Sequence, residues 1–117
     1  MTKAEFQTNA QDRLVVCSQI KSKLSKVSSY TEQKFNDYKV TIRKNELSPV
    51  VKYVVDIIPD ESPNFYTEYC INDCGTITID LVHKKEKNGI SYPVSTREMT
   101  TPENYQALIN HLEKMRL

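Results

Sequence analysis

Apolar residues near the amino end of the chain follow the spacing of a helix. They recur every three or four positions, which places them on one helical face. The set is Phe6, Ala10, Leu14, Cys17, Ile20, Leu24 and Val27. Thr2 and Glu5 have the spacing of a capping box, in which a hydroxyl and a carboxylate satisfy free backbone N–H groups at a helix start. The pattern predicts an amphipathic helix over residues 2–28, followed by a polar connector that reaches Asn36.

The middle of the chain changes to the two-residue period of β-strands, in which alternate side chains point to opposite faces. This alternation predicts strands at residues 38–43, 50–58, 65–71, 76–83 and 90–94. The turn residues are Asn72-Asp73-Cys74-Gly75 and Asn88-Gly89, and both sequences favour hairpins. Pro93 has no backbone N–H to donate, so the last strand is expected at an edge of the sheet or with a bulge.

The carboxyl end returns to helical spacing. Thr101 suits an N-cap, Pro102 the first helical position, and Glu103 the positive end of the helix dipole. The apolar stripe consists of Tyr105, Leu108, Ile109, Leu112 and Met115. These elements predict a two-layer α+β domain in the order α-β-β-β-β-β-α. It contains a long amino-terminal helix, an antiparallel meander sheet of about five strands and a carboxyl-terminal helix, with one sheet face under both helices.

The chain of 117 residues has the length of one domain, so residues 1–117 are expected to form a single unit. No run approaches the roughly 18 apolar residues of a membrane span, and residues 1–10 lack a signal-peptide pattern. Three cysteines, an odd number, favour free thiols in a reducing compartment. We therefore expect an intracellular protein, cytoplasmic rather than secreted, that makes no membrane contact.

The formal net charge is only +1, but the charges are segregated along the chain. Residues 59–83 contain five acidic residues and no lysine or arginine. These five, called the acidic hairpin below, are Asp60, Glu61, Glu68, Asp73 and Asp80. A surface of this kind either keeps a small protein soluble or orients a protein partner. We expect the acidic hairpin to contact another protein.

A second candidate surface follows from strand parity. Val54, Tyr66, Cys70 and Val82 alternate with the predicted core positions, so we expect them on the sheet face that the helices leave open. Apolar side chains within a polar rim are typical of an interface. The alternative is that the first helix, or a second copy of the chain, covers them. The pattern is compatible with a monomer or a homodimer.

Nucleic-acid binding is the alternative function. Basic residues could contact phosphates from the first helix, the first predicted strand and the loop before Gly89. They are Lys21, Lys23, Lys26, Lys39, Arg43, Lys84, Lys85 and Lys87. Tyr66 and Tyr92 could stack on unpaired bases. A sequence pI of about 7.7 and the acidic hairpin weigh against this reading.

Metal and cofactor sites are not indicated. The possible zinc ligands are Cys70, Cys74, His83 and His111, but they lack the paired spacing of structural zinc sites. Gly75 and Gly89 stand alone, so the chain has no glycine-rich phosphate loop. We expect no metal and no cofactor.

Catalytic groups are equally sparse. Cys74 has no histidine beside it in sequence that would act as a base. Asp56, Glu68 and Asp80 could form paired carboxylates across neighbouring strands, but carboxylates at outward strand positions commonly face water. We therefore expect a non-catalytic protein–protein interaction module, acting as an adaptor, a complex subunit or a small inhibitor.

Overall fold

A computed structural model describes residues 10–117 of the protein, with side chains from residue 14 onward. Within this range one helix precedes six strands and another follows them along the chain, and the strands form one antiparallel sheet in the spatial order β1-β2-β3-β4-β5-β6. The elements are α1 (Ala10–Leu24), β1 (Tyr30–Lys34), β2 (Tyr38–Lys44), β3 (Val51–Pro59), β4 (Phe65–Asn72), β5 (Ile77–Lys87), β6 (Ile90–Glu98) and α2 (Pro102–Lys114). The predicted α+β class and the helix–sheet–helix order are confirmed.

The first helix ends earlier than predicted. Residues 2–9 of the predicted helix lie outside the described residues. At its other end α1 stops at Leu24, because the N–H groups of Lys26 and Val27 donate to carbonyl oxygens only three residues back. This tighter turn ends the helix before Ser28.

The sheet has six strands rather than about five, because β1 occupies the predicted polar connector. Its residues pair in register with β2, from Tyr30 opposite Arg43 to Lys34 opposite Lys39. All but one of its side chains are exposed, since β1 is an edge strand that packs against neither helix. Backbone pairing therefore defines this strand, and no alternation of apolar residues marks it.

The hairpin of β5 and β6 is also longer than predicted. Both strands continue to a two-residue turn at Asn88 and Gly89, whose φ angles of 55° and 77° suit a hairpin turn. All nine residues of β6 are exposed, and β6 is the second edge strand, as Pro93 predicts.

Both helices pack on one face of the sheet and form the core there. The contributing positions are the even residues of β2 and the odd residues of β3, β4 and β5. The largest fully buried side chains are Ile20, Leu24, Val40, Ile42, Val55, Ile71, Leu108 and Leu112. Burying a side chain of this size stabilises the fold by about 1.5–3 kcal/mol relative to leaving it exposed.

Thr101 caps α2 as predicted, because its hydroxyl accepts a hydrogen bond from the N–H of Asn104. Two contacts position the helices on the sheet. The Tyr105 hydroxyl on α2 accepts a hydrogen bond from the N–H of Ile77 on β5. Gly75, in the turn between β4 and β5, lies directly against the backbone of Cys17 on α1. Neither described helix is long and apolar enough to cross a membrane.

Candidate functional site

The face of the sheet opposite α1 and α2, called the open face, carries no helix that the structure describes. Paired residues of an antiparallel sheet point to the same side, so the strand register shows which side chains share this face. Strands β3, β4 and β5 contribute the side chains of their even-numbered residues to the open face. Candidate functional groups on this face are therefore held by backbone pairing of adjacent strands.

Three carboxyl groups lie side by side across the open face. Asp56 of β3 is opposite Glu68 of β4, and Glu68 is opposite Asp80 of β5. We call these three residues the acid row. Arg97 of β6 continues the row beyond Asp80, and Thr41 of β2 precedes Asp56. Directly opposed residues have Cβ atoms about 4.5–5.5 Å apart, so their charges interact.

The end of the acid row at Asp80 is neutralised. The Nε of Arg97 lies 2.6 Å from Oδ1 of Asp80, and Asp80 is buried. This hydrogen bond, with the charge of Asp80, raises the pKa of Arg97 above its ordinary value. Asp80 therefore has its counter-charge within the protein.

Asp56, at the other end of the acid row, has no such ion pair with the described residues. Asp56 is half-buried, and its Oδ1 is inaccessible and has no hydrogen-bond partner among the described residues. Burial, the hydrogen bond with Glu68 and the charge of Glu68 together raise the pKa of Asp56 to about 8. Arg43 and Lys84 oppose this effect only in part. Asp56 therefore forms no ion pair with the described residues, in contrast to Asp80.

Cys70 lies beside the acid row, with its Sγ 3.8 Å from Oε1 of Glu68. The ligand atoms of Glu68, Cys70 and Asp80 all lie within 4.8 Å of one another. Burial and the surrounding carboxylates raise the pKa of the Cys70 thiol to about 11, so at neutral pH this thiol is protonated rather than a nucleophilic thiolate. The acid row and Cys70 therefore combine a carboxylate bound to Arg97, a protonated thiol and, at Asp56, a carboxyl group without an ion pair among the described residues.

The predicted apolar residues do lie on the open face, but most of them are buried there. Val54 pairs with Cys70, and Tyr66 pairs with Val82. Val54, Tyr66 and Val82 are only 3%, 9% and 2% exposed. The Nζ of Lys84 lies 5.5 Å from the centre of the Tyr66 ring, so the lysine side chain covers part of this ring. The apolar side chains of Val54, Tyr66 and Val82 are therefore buried beside the charged groups rather than exposed. Their role in partner binding stays a prediction.

The acidic hairpin is divided among three places. Asp60 and Glu61 lie in the loop between β3 and β4, where Asp60 forms an ion pair with Lys34 at 2.5 Å. Asp73 lies in the turn at the opposite end of β4. Only Glu68 and Asp80 belong to the acid row. The member that the acidic hairpin leaves out is Asp56. The sequence indicates Asp56, Glu68 and Asp80 only as possible paired carboxylates, and the strand register places these three side by side.

The predicted nucleic-acid contacts are divided as well. Lys39, Arg43 and Lys84 lie on the open face around the acid row, according to the strand register. The others lie elsewhere: Lys21 and Lys23 on α1, Lys26 in the turn that follows it, and Lys85 and Lys87 near the tip of the β5–β6 hairpin. The eight residues do not form one continuous stripe.

The residues considered as zinc ligands do not come together as one site. Cys74 is exposed in the turn between β4 and β5, and all three cysteines are free. His83 contacts the Phe65 ring, and His111 contacts the Tyr38 ring. Burial lowers the pKa of His111, assisted by the charge of Lys114.

An apolar surface that the sequence pattern did not reveal lies on the helix side of β6. Ile90, Tyr92 and Val94 alternate like a half-buried strand, but Ile90 is 69% exposed and the other two are also exposed. Phe65 on β4 is exposed beside His83. The helices do not extend over this corner of the sheet, so the alternation here does not correspond to burial.

Comparison with known proteins finds no matching family model, no matching curated protein and no matching solved structure.

Proposed function

We propose that this protein is a non-catalytic protein–protein interaction module, acting as an adaptor, a complex subunit or a small inhibitor. Its partner presents a lysine or arginine side chain to the open face, beside Asp56. The observation that carries this proposal is the acid row, in which Asp80 forms an ion pair with Arg97 and Asp56 forms none with the described residues.

The charge around the acid row supports a partner of this chemistry. A cation from the partner placed against Asp56 would supply the missing counter-charge through a charge-assisted hydrogen bond, which contributes about 1.5–3 kcal/mol. Lys39, Arg43 and Lys84 surround the row and would pair with acidic groups on the same partner. Complementary patterns of this kind fix orientation and exclude partners with the wrong charges.

A binding role rather than a catalytic one is favoured by the state of the candidate catalytic groups. Burial and neighbouring carboxylates keep the Cys70 thiol protonated, and Asp80 is bound to Arg97. The odd number of cysteines favours free thiols in a reducing compartment, so we propose an intracellular protein, cytoplasmic rather than secreted.

A capture experiment with matched charge reversals tests this proposal. Glu68→Lys reverses a charge within the acid row, and Asp73→Lys reverses one in the exposed turn away from it. Wild-type protein and Asp73→Lys should capture the same partner from native lysate, and Glu68→Lys should lose it. Circular dichroism and thermal melting establish that both variants are folded.

The capture experiment also has a clear adverse result. If folded Glu68→Lys recovers the same proteins as wild type, the acid row is not the binding surface. Loss of the partner by Asp73→Lys but not by Glu68→Lys would move the site to the turn.

Nucleic-acid binding is the second candidate, because Lys39, Arg43 and Lys84 share the open face. The acid row between them would repel phosphates, and Tyr66 is too deeply buried under Lys84 to stack on a base as it stands. Fluorescence polarisation with single-stranded RNA and DNA oligonucleotides at low salt tests this function. Binding that falls steeply with salt and weakens when Lys84, Lys85 and Lys87 are neutralised would favour it. No binding at low salt would discard it.

A further inference from the structure

We infer that Asp56 and Glu68 share one proton at neutral pH in the free protein, and that a cation placed against Asp56 expels it. Engagement of the open face by a basic side chain would then release a proton. The shared proton needs no partner, whereas its release by a partner rests on the proposed function.

The geometry of the pair opposes ionisation of both groups. Asp56 and Glu68 are directly opposed on β3 and β4, and both side chains share the open face. The Oδ1 of Asp56 is buried and has no hydrogen-bond partner among the described residues, so no donor stabilises a charge on that oxygen. Like charges held this close also oppose simultaneous ionisation.

No cation among the described residues forms an ion pair with Asp56 or Glu68. The neighbouring position on β2 is Thr41, which is uncharged and directly opposite Asp56. The one ion pair that the described residues form with the acid row joins Arg97 to Asp80. The titratable and charged groups of the open face around the pair are Tyr30 and Glu32 on β1, Lys39 and Arg43 on β2, Tyr66 and Cys70 on β4, Asp80 and Lys84 on β5, and Arg97 on β6. The elevated pKa of Asp56, at about 8, agrees with this arrangement.

Thr41 allows a cation to be supplied without knowing the partner. Thr41→Lys places an ammonium group opposite Asp56, and Thr41→Gln is the matched uncharged control of similar length. Carboxyl carbon NMR of the full-length chain, titrated from pH 5 to 10, follows each carboxyl group directly. The backbone amide spectrum of each variant establishes that it is folded.

In wild type, one carboxyl of the pair should titrate near pH 8, and Asp56→Asn should abolish this transition. Thr41→Lys should lower its midpoint by at least one pH unit, which is a tenfold change in the ratio of protonated to ionised forms at a given pH. Thr41→Gln should leave the midpoint unchanged. Titration of every wild-type carboxyl below pH 6, or equal midpoints in the two Thr41 variants, would overturn the inference.

Proton release on binding is tested with the protein captured from lysate. Recovery of that protein by wild type should rise between pH 6.5 and 8.5, because binding competes with the proton, and Asp56→Asn should not show the rise. Equal pH dependence of the two would overturn the coupling. The NMR result does not depend on a partner, so it separates failure of the shared proton from failure of the proposed function.

Discussion

Replacing Gly75 with alanine should force α1 away from the turn between β4 and β5. A Cβ at this position would overlap the carbonyl oxygen of Cys17 and lie 2.8 Å from its carbonyl carbon. Side-chain contacts below 3.0 Å essentially never occur, and both atoms belong to backbone, so no side-chain rotation relieves the overlap. Gly75 also has a φ angle of +84°, which side chains disfavour.

The cost has two parts. Holding alanine at positive φ costs about 1–2 kcal/mol. Moving α1 outward also loosens its packing on the core, where Val16 and Ile20 are buried. Each 100 Å³ of space opened in a core costs about 2.4 kcal/mol. We therefore expect Gly75→Ala to lower the free energy of unfolding by about 3–4 kcal/mol.

Gly89→Ala is the matched control. Gly89 has a φ angle of +77°, but no atom lies within 4 Å of the position its Cβ would take. This variant should lose only the conformational part, about 1–2 kcal/mol. Urea unfolding followed by circular dichroism measures both losses. If Gly75→Ala destabilises the protein no more than Gly89→Ala does, the close packing of α1 on the turn is not what requires glycine there.

Three further predictions address the acid row and the core. Arg97→Gln should lower the thermal unfolding midpoint by about 5 °C, because it leaves buried Asp80 without its counter-charge, and Arg97→Lys should restore part of the loss. Asp56, with a pKa of about 8 in the folded state against 3.8 as its ordinary value, binds its proton more tightly in the native than in the unfolded protein. Its stabilising contribution is therefore fully present below pH 4 and is lost as pH rises through 8. The free energy of unfolding should fall by at most about 1.4 kcal/mol per pH unit, and solvent screening of this half-buried group reduces that slope. Urea unfolding at several pH values should show this slope in wild type and not in Asp56→Asn. Ile42→Ala, at a fully buried site, should cost about 3–4 kcal/mol in the same assay, whereas Ile90→Ala, at an exposed site on β6, should cost less than about 0.5 kcal/mol; similar losses at the two sites would contradict the described core.

The elements that the sequence predicts well are those whose signals are local. Thr101 and Pro102 mark the start of α2 because capping depends only on neighbouring backbone groups. Asn88 and Gly89 mark a hairpin turn because their backbone conformation is intrinsic to these residue types. By contrast, β1 has no buried face, so no alternation could identify it.

The candidate site divides in the same way. Strand parity correctly places Val54, Tyr66 and Val82 on one face, because alternation is a property of each strand by itself. Their burial was not predictable, since it depends on tertiary contacts such as that of Lys84 with the Tyr66 ring. The acidic hairpin fails as a unit for a related reason, because residues close in sequence separate to opposite ends of β4.

The sequence by itself determines five of the six strands, their sequential order and which of their side chains share a face, because these follow from local periodicity, caps and turns. Only the tertiary structure decides that residues 30–34 add a sixth strand and in what register the strands pair. That register brings Asp56, Glu68, Asp80 and Arg97 together from four strands, and it leaves Thr41 rather than a cation beside Asp56. Position in the row determines whether a carboxyl has a counter-charge, because the interaction between charges depends on their separation and burial and not on their distance along the chain.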